Sequence, residues 1–199
     1  MTTIDIIDQL AGVVPGSEID ALRRRRDQAR INSQAGYDAL FTAPDRTGIP
    51  TTERLAVASF VAALHGDPSL HDHYRGLLAT AAGTELAEVV DRVAATAATD
   101  GPYGHYPTAA DLRGEDRAGL VFHVDAGAAA ALGERLTAAF EHAHLLVFRP
   151  RESSPGALDS LVRAGWSSSA IVTLSQLVAF LAYQLRVVSG LRVLRESPA

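Results

Sequence analysis

Apolar residues recur along most of this chain at three- and four-residue intervals and almost nowhere at alternate positions, so the pattern predicts helices. A Gly/Pro-punctuated lead-in covers Leu10 to Gly16. Ser17, with Glu18 and Asp20 in the first turn, then opens a helix expected to run through Ala21, Leu22, Ala29, Ile31, Ala35, Tyr37 and Leu40. A loop from Thr42 to Pro50 follows. Thr51-Thr52-Glu53 starts the next helix, filled by Leu55, Val57, Ala58, Val61, Ala62 and Leu64. His65-Gly66-Asp67-Pro68 breaks it and also begins another, with Asp67 as the cap and Pro68 at the first helical position. That helix carries Leu70, Tyr74, Leu77 and Leu78, and a further one runs from Thr84 to Ala98.

Asp100 to Pro107 (DGPYGHYP) is dense in Gly, Pro and Tyr and reads as a loop. Leu120 to Val124 reads as a short extended piece. Helical spacing returns from Ala126 to Val147, in a short capped helix from Ser154-Pro155 to Gly165, and in a long one from Ser167 to about Leu194. Without convincing strand pairs the expected class is all-α. The expected organisation is one domain over 1–199: an N-terminal helical half (1–100), a connecting segment (101–125) and a C-terminal helical half (126–199).

Composition narrows the chemistry. The chain has no cysteine, and all 18 of its basic side chains are arginine. Thiolate nucleophiles, disulfides and thiolate metal sites are excluded, as is a lysine Schiff base. The formal net charge of −5 argues against a nucleic-acid partner. The Arg23-Arg24-Arg25-Arg26 run reads as a solvated helix face beside Glu18 and Asp27. Acids near the N-terminus do not suit a signal peptide, and the longest apolar run, Ala170 to Tyr183, falls short of the roughly 20 residues of a bilayer span. A cytoplasmic protein with no membrane partner is expected.

The order of elements from Leu136 to Leu194 carries a resemblance. A helix ends in a basic-Pro step (Arg149-Pro150), and a capped helix closes on Ala164-Gly165. Ser168 then precedes Ile171-Val172, and a long apolar helix bears Gln184 and Arg186. Upstream, Glu53-Arg54, an alanine-rich helix and Gly66 precede a helix with histidines. This resembles the alkylhydroperoxidase-like, or carboxymuconolactone decarboxylase-like, superfamily, especially its peroxidase-related branch. The resemblance implies an all-α bundle of two related halves, assembled as dimers or trimers of dimers.

It also implies a glutamate facing a CxxC and a histidine, which this chain lacks. With Glu53 as that glutamate, the cysteine positions fall on His65 and Pro68 and the histidine position on Asp72. With Gly66 matched instead to the glycine before the first cysteine, the glutamate becomes Leu55, the cysteines Asp67 and Leu70, and the histidine Tyr74. Thiol peroxidase activity is excluded by the missing sulfur, so "peroxidase-related" would hold only as a family name.

Glu53, His65, Asp67, His71, His73 and Tyr74 remain the densest titratable set near a helix junction. Cofactor-free acid–base chemistry on a small molecule, neutral or anionic, is the first reading. His65 or His71 would be acid/base, Glu53 or Asp67 the orienting carboxylate, and Arg54 or Arg75 the anion partner. A non-catalytic oligomeric binding or scaffold protein is the alternative.

Residues two apart on a helix point about 200° from each other, so neither His71/His73 nor His142/His144 is expected to chelate a metal. No cofactor is expected. By the same spacing at most one of Gln184 and Arg186 faces the core. His105, between Tyr103 and Tyr106, reads as a lid residue or as part of an exposed loop. The last helix is apolar nearly all round (Ile171, Val172, Leu174, Leu177, Val178, Phe180, Leu181, Leu185, Val187, Val188), which predicts a homo-oligomer, whether dimer, trimer or hexamer.

Overall fold

A computed structural model of the chain describes residues 5–43, 48–106 and 110–196. The structure is all-α, and no strand occurs among the described residues. It divides into two compact units: Met1–Pro44 with Phe180–Ala199, and Asp45–Ala179.

The first unit holds α1 (Ile6–Ala11), α2 (Glu18–Arg24), α3 (Asp27–Phe41) and the last part of the long α9 (Ser168–Glu196). Asp5 caps α1 by accepting from the Asp8 N–H at 3.0 Å, and Gly12, at φ 66°, ends it in the left-handed conformation that glycine adopts freely. The single helix expected from Ser17 to Leu40 is two helices, broken at Arg26 (φ −128°, ψ 55°). Arginine electrostatics accompany that break. Arg23 reaches Asp5 at 2.6 Å and Asp8 at 2.7 Å, Arg24 pairs with Asp20 at 3.0 Å, and Arg30 reaches Asp8 at 2.9 Å.

The solvated-face reading of the arginine run holds for Arg24, Arg25 and Arg26 and fails for Arg23. The Arg23 side chain is only 8% exposed, while Arg25 and Arg26 do face solvent. The Gly16 N–H, and then the Arg24 and Arg30 guanidinium groups, hold the Asp20 carboxyl below its ordinary range against the opposing effect of burial. The end of α9 is tied down within this unit. Arg192 donates to the Leu10 carbonyl at 2.7 Å and Arg195 to that of Ala11 at 3.0 Å, and the Ser33 and Tyr183 hydroxyls share a 2.7 Å hydrogen bond.

The second unit contains α4 (Thr51–Leu64), α5 (Pro68–Ala82), α6 (Thr84–Ala97), α7 (Ala126–Phe148), α8 (Pro155–Arg163) and residues 168–179 of α9. Its centre is α4, in which every residue from Arg54 to Ala62 is buried, as expected for a helix apolar all round. Phe60 stacks on Phe140 of α7 with parallel rings 4.4 Å apart, both fully buried. Phe60 also meets Phe122 at 6.2 Å, and Phe122 meets His144 at 5.0 Å. A line of rings thus joins the core to the 121–124 segment.

α7 kinks at Gly133 (φ 76°). Leu120 to Val124 is irregular rather than extended against a partner strand; the bridges present are isolated ones from Gly104 to Asp116 and Arg117. Residues 100–106 form the expected loop, whose last expected residue, Pro107, lies outside the described residues, as do 44–47 of the 42–50 loop. His105 is 85% exposed there, with Asp116 at 3.8 Å.

Of the two polar residues singled out on the last helix, Gln184 is fully buried and Arg186 exposed, donating to the Ala182 carbonyl. α9 has a mean hydropathy of 1.6 over its most apolar 18-residue window and is long enough to cross a bilayer by length and composition; 44% of that window is buried in the protein.

Candidate functional site

The residue set read from the sequence is spread over three places. Glu53 sits in the first turn of α4 and His65 caps its far end, twelve residues and therefore about 18 Å along the helix. Glu53 is gripped instead by Arg135 of α7 through two bonds of 3.0 and 2.9 Å. The same guanidinium donates to the Gly165 and Gly48 carbonyls and lies over the Trp166 ring at 4.5 Å. Hydrogen bonding to Glu53 raises the Arg135 pKa further.

Asp67 is an N-cap, accepting from the Ser69 and Leu70 N–H groups at 3.1 Å. His71 and Arg75 do come together, both on Asp91 of α6, at 3.0 and 2.6 Å. His73 is half-buried, which lowers its pKa, and its ring meets that of the fully buried Tyr74 edge-on. Arg54 is buried and donates to the Ile49 carbonyl at 2.9 Å. Leu70, Tyr74 and Leu78 pack the inner side of α5, and that surface is filled.

A cleft of about 240 Å³ opens elsewhere in the same unit, along α7. Ala138, Glu141, His142 and Leu145 recur at three- and four-residue spacing, so they line one face of that helix, and Arg149 follows as the cap at its end. Val121, Phe122 and His123 form the opposite wall, and Ala157 and Ser160 of α8 complete it. Glu141 pins the opposite wall, accepting from the Val124 N–H at 3.1 Å and lying 3.3 Å from His123 Nδ1.

His142 is 4% exposed, and neither ring nitrogen has a hydrogen-bond partner. Such a group costs stability unless something fills the need. Burial pushes its pKa below the ordinary imidazole value, so at neutral pH the ring is an uncharged base. His144 is also lowered, chiefly by burial and further by the nearby Arg149 charge, against the raising effect of its bond to Ala97. Its Nε2–H donates to the Ala97 carbonyl at 3.0 Å, which fixes its tautomer.

Arg149 supplies the charge at the other end. Its Nε is buried without a partner, and Nη1 lies 3.3 Å from Glu152. Its stem runs against Gly119, where a Cβ would come within 2.9 Å of Arg149 Cδ, so a side chain there would displace the arginine. Among the described residues no three metal-ligating side chains converge.

No protein-family model and no curated protein matches this chain.

Function is therefore read from the cleft, a place the sequence reading passed over. His142 and His144 are set aside there as a poor chelating pair, although their position on an apolar helix marks them as inward-facing. The missing partners of His142 depend on the opposite wall and are invisible in sequence.

Replacing His142 with phenylalanine should raise stability by about 1–3 kcal/mol, because an unmatched buried polar group gives way to an apolar ring of similar shape. Denaturant unfolding measures this, and a loss of stability would mean that His142 is structurally bonded. The pH dependence follows from the same burial. The folded pKa values of His142 and His144 lie below the unfolded value of about 6.5, so the unfolded chain gains protons first on acidification. Their contribution to stability is full above that value and falls as pH drops through it toward the folded pKa. Thermal melts between pH 7.5 and 5.5 should show the decline, shallower in His142→Phe.

Proposed function

We propose that the protein binds a small anionic molecule in the α7–α8 cleft and moves a proton on it, with His142 as general base and Arg149 as the anion's partner. One observation carries this reading: a buried, neutral imidazole with both nitrogens unmatched lies beside a cleft that also holds Arg149, whose Nε is buried without a partner. Both nitrogens of His142 are covered in the structure, so the ring must first turn toward the cleft; it then takes a proton from the bound molecule, becomes imidazolium, and returns the proton to another atom of the same molecule. The positive charge of Arg149 stabilises the negative charge that develops meanwhile. The reaction is thus an isomerisation or the protonation half of a cleavage, and it needs no thiol.

The scaffold on which this sits is read as alkylhydroperoxidase-like, supported by the all-α class and by the order of the Arg149-Pro150 step, α8 closing at Ala164-Gly165, and α9. Self-association in the cytoplasm belongs to the same proposal; Val172, Tyr183, Val193 and Leu194 of α9 are exposed, which supports a second copy packing there. The packed α5 surface and the Glu53–Arg135 grip favour a purely structural role for the Glu53–Tyr74 region.

The test is a thermal-shift screen of small organic and inorganic anions against wild type, His142→Gln and Arg149→Gln. A ligand of the native state raises the melting temperature. The expected result is a wild-type shift lost in Arg149→Gln, with turnover of that ligand lost in His142→Gln. Shifts indifferent to both substitutions would remove the cleft from consideration.

A further inference from the structure

We infer that the anionic group taken by the cleft belongs to an ω-amino acid, with its carboxylate on Arg149, its ammonium on Glu141 and a methylene chain between. This rests on the reading of Arg149 as the anion's partner, and it adds the ligand's length, its apolar body and its cationic end.

Both contacts are open to solvent. The Glu141 side chain is 32% exposed and that of Arg149 12%. Glu141 spends one oxygen, Oε1, on the Val124 N–H and His123, and its Oε2 has no partner among the described residues. Arg149 turns Nη1 toward Glu152, and its Nη2 has no partner among the described residues. The cleft therefore holds an unspent acceptor on a carboxylate and an unspent donor on a guanidinium.

Their separation sets the ligand's length. Glu141 and Arg149 are eight residues apart along α7 and its cap, so their side chains leave the helix about 12 Å apart. A hydrogen bond of about 2.9 Å at each end leaves about 6 Å to be spanned. Six bonds separate the nitrogen from the carboxyl carbon in ε-aminocaproate, and such a chain extends to about 7 Å. Leu145 lies between the two charged residues, and Val121 and Phe122 face it across the gap, so the methylenes meet apolar side chains. A cavity of about 150 Å³ lined by apolar side chains accepts benzene, so 240 Å³ admits five methylenes with a charged group at each end.

Charge selects the end groups. A dicarboxylate of similar length would set an anion against Glu141, and a diamine would set a cation against Arg149; like charges brought together oppose binding. A plain fatty acid leaves the Glu141 charge unanswered. An inorganic anion has nothing to set against Leu145 and Phe122. An ω-amino acid matches both ends and the middle.

Calorimetric titration of the full chain with ε-aminocaproate, caproate, hexylamine, adipate and γ-aminobutyrate tests this. The first should bind tightest, with caproate and hexylamine each about tenfold weaker or more for want of one charged contact. Adipate should be weaker than caproate. Two bonds too short to hold both ends at once, γ-aminobutyrate should bind about tenfold more weakly than ε-aminocaproate. Arg149→Gln should reduce ε-aminocaproate to the affinity of hexylamine. Glu141→Gln, whose amide oxygen still accepts from the Val124 N–H, should reduce it to that of caproate. Caproate binding as tightly as ε-aminocaproate would overturn the ammonium contact while leaving the anion site in place. Hexylamine binding as tightly would overturn the carboxylate contact and the anion-binding reading with it. Equal affinity for γ-aminobutyrate would overturn the span from Glu141 to Arg149. No binding by any of the five to folded protein would overturn both this inference and the anion-binding reading. The wild-type ranking decides even if a variant fails to fold.

Discussion

Arg23→Ala is expected to destabilise the first unit by about 3–5 kcal/mol, the usual result of removing one partner from a buried ion pair. The guanidinium spans two carboxylates at 2.6 and 2.7 Å, and all three side chains are largely hidden from solvent. Deleting it leaves Asp5 and Asp8 buried with only the half-buried Arg30 opposite them, at 3.6 and 2.9 Å. Asp5 has a second duty as the cap of α1, so its repositioning would also release the first turn of that helix. Arg25→Ala, two residues on and exposed, should change stability by less than about 0.5 kcal/mol. Denaturant unfolding followed by circular dichroism compares the two. Equal, small effects would show that the network is a surface decoration after all.

Phe60→Ala should cost the second unit about 3–5 kcal/mol, since it removes a fully buried ring and leaves a cavity in its place. The consequence reaches further than stability. Phe60 stacks on Phe140 and touches Phe122, and Phe122 forms part of the cleft wall facing α7. Without the ring behind it, that wall loses its backing, so anion binding should weaken even in protein that remains folded. Phe60→Leu, which restores most of the volume, should recover much of both losses. Unfolding curves and ligand titrations on the pair are the measurement. Loss of stability with unchanged binding would separate the core from the cleft.

Helices were legible where a cap and a proline mark the start together, whereas α1, capped by Asp5 and ended by Gly12, went unread and takes Leu10 and Ala11 out of the expected lead-in. Asp67-Pro68 announces the start of α5 and Ser154-Pro155 that of α8, because a cap and a proline act within one turn. The break between α2 and α3 was not legible, because the arginines around it answer to carboxylates as far back as Asp5 and Asp8. Leu120 to Val124 has no ladder partner, in keeping with the lack of convincing strand pairs in the sequence, and its residues line the cleft along a helix instead.

The chemistry was harder to locate. Glu53, His65, Asp67 and His71 are close in sequence, yet the fold uses them for a grip, two helix ends and a surface pair. What distinguishes His142 is the absence of bonds, and that is decided by residues some twenty positions away along the chain.

The hold of Arg135 on Glu53, two carbonyls and an indole has a consequence in strong base. Every side-chain cation in this molecule is a guanidinium, and those of Arg135 and Arg75 are held even more firmly protonated than usual. A lysine-built framework would begin to lose its charge near pH 10.4. Here, the cationic side of each arginine ion pair keeps its proton well beyond that pH.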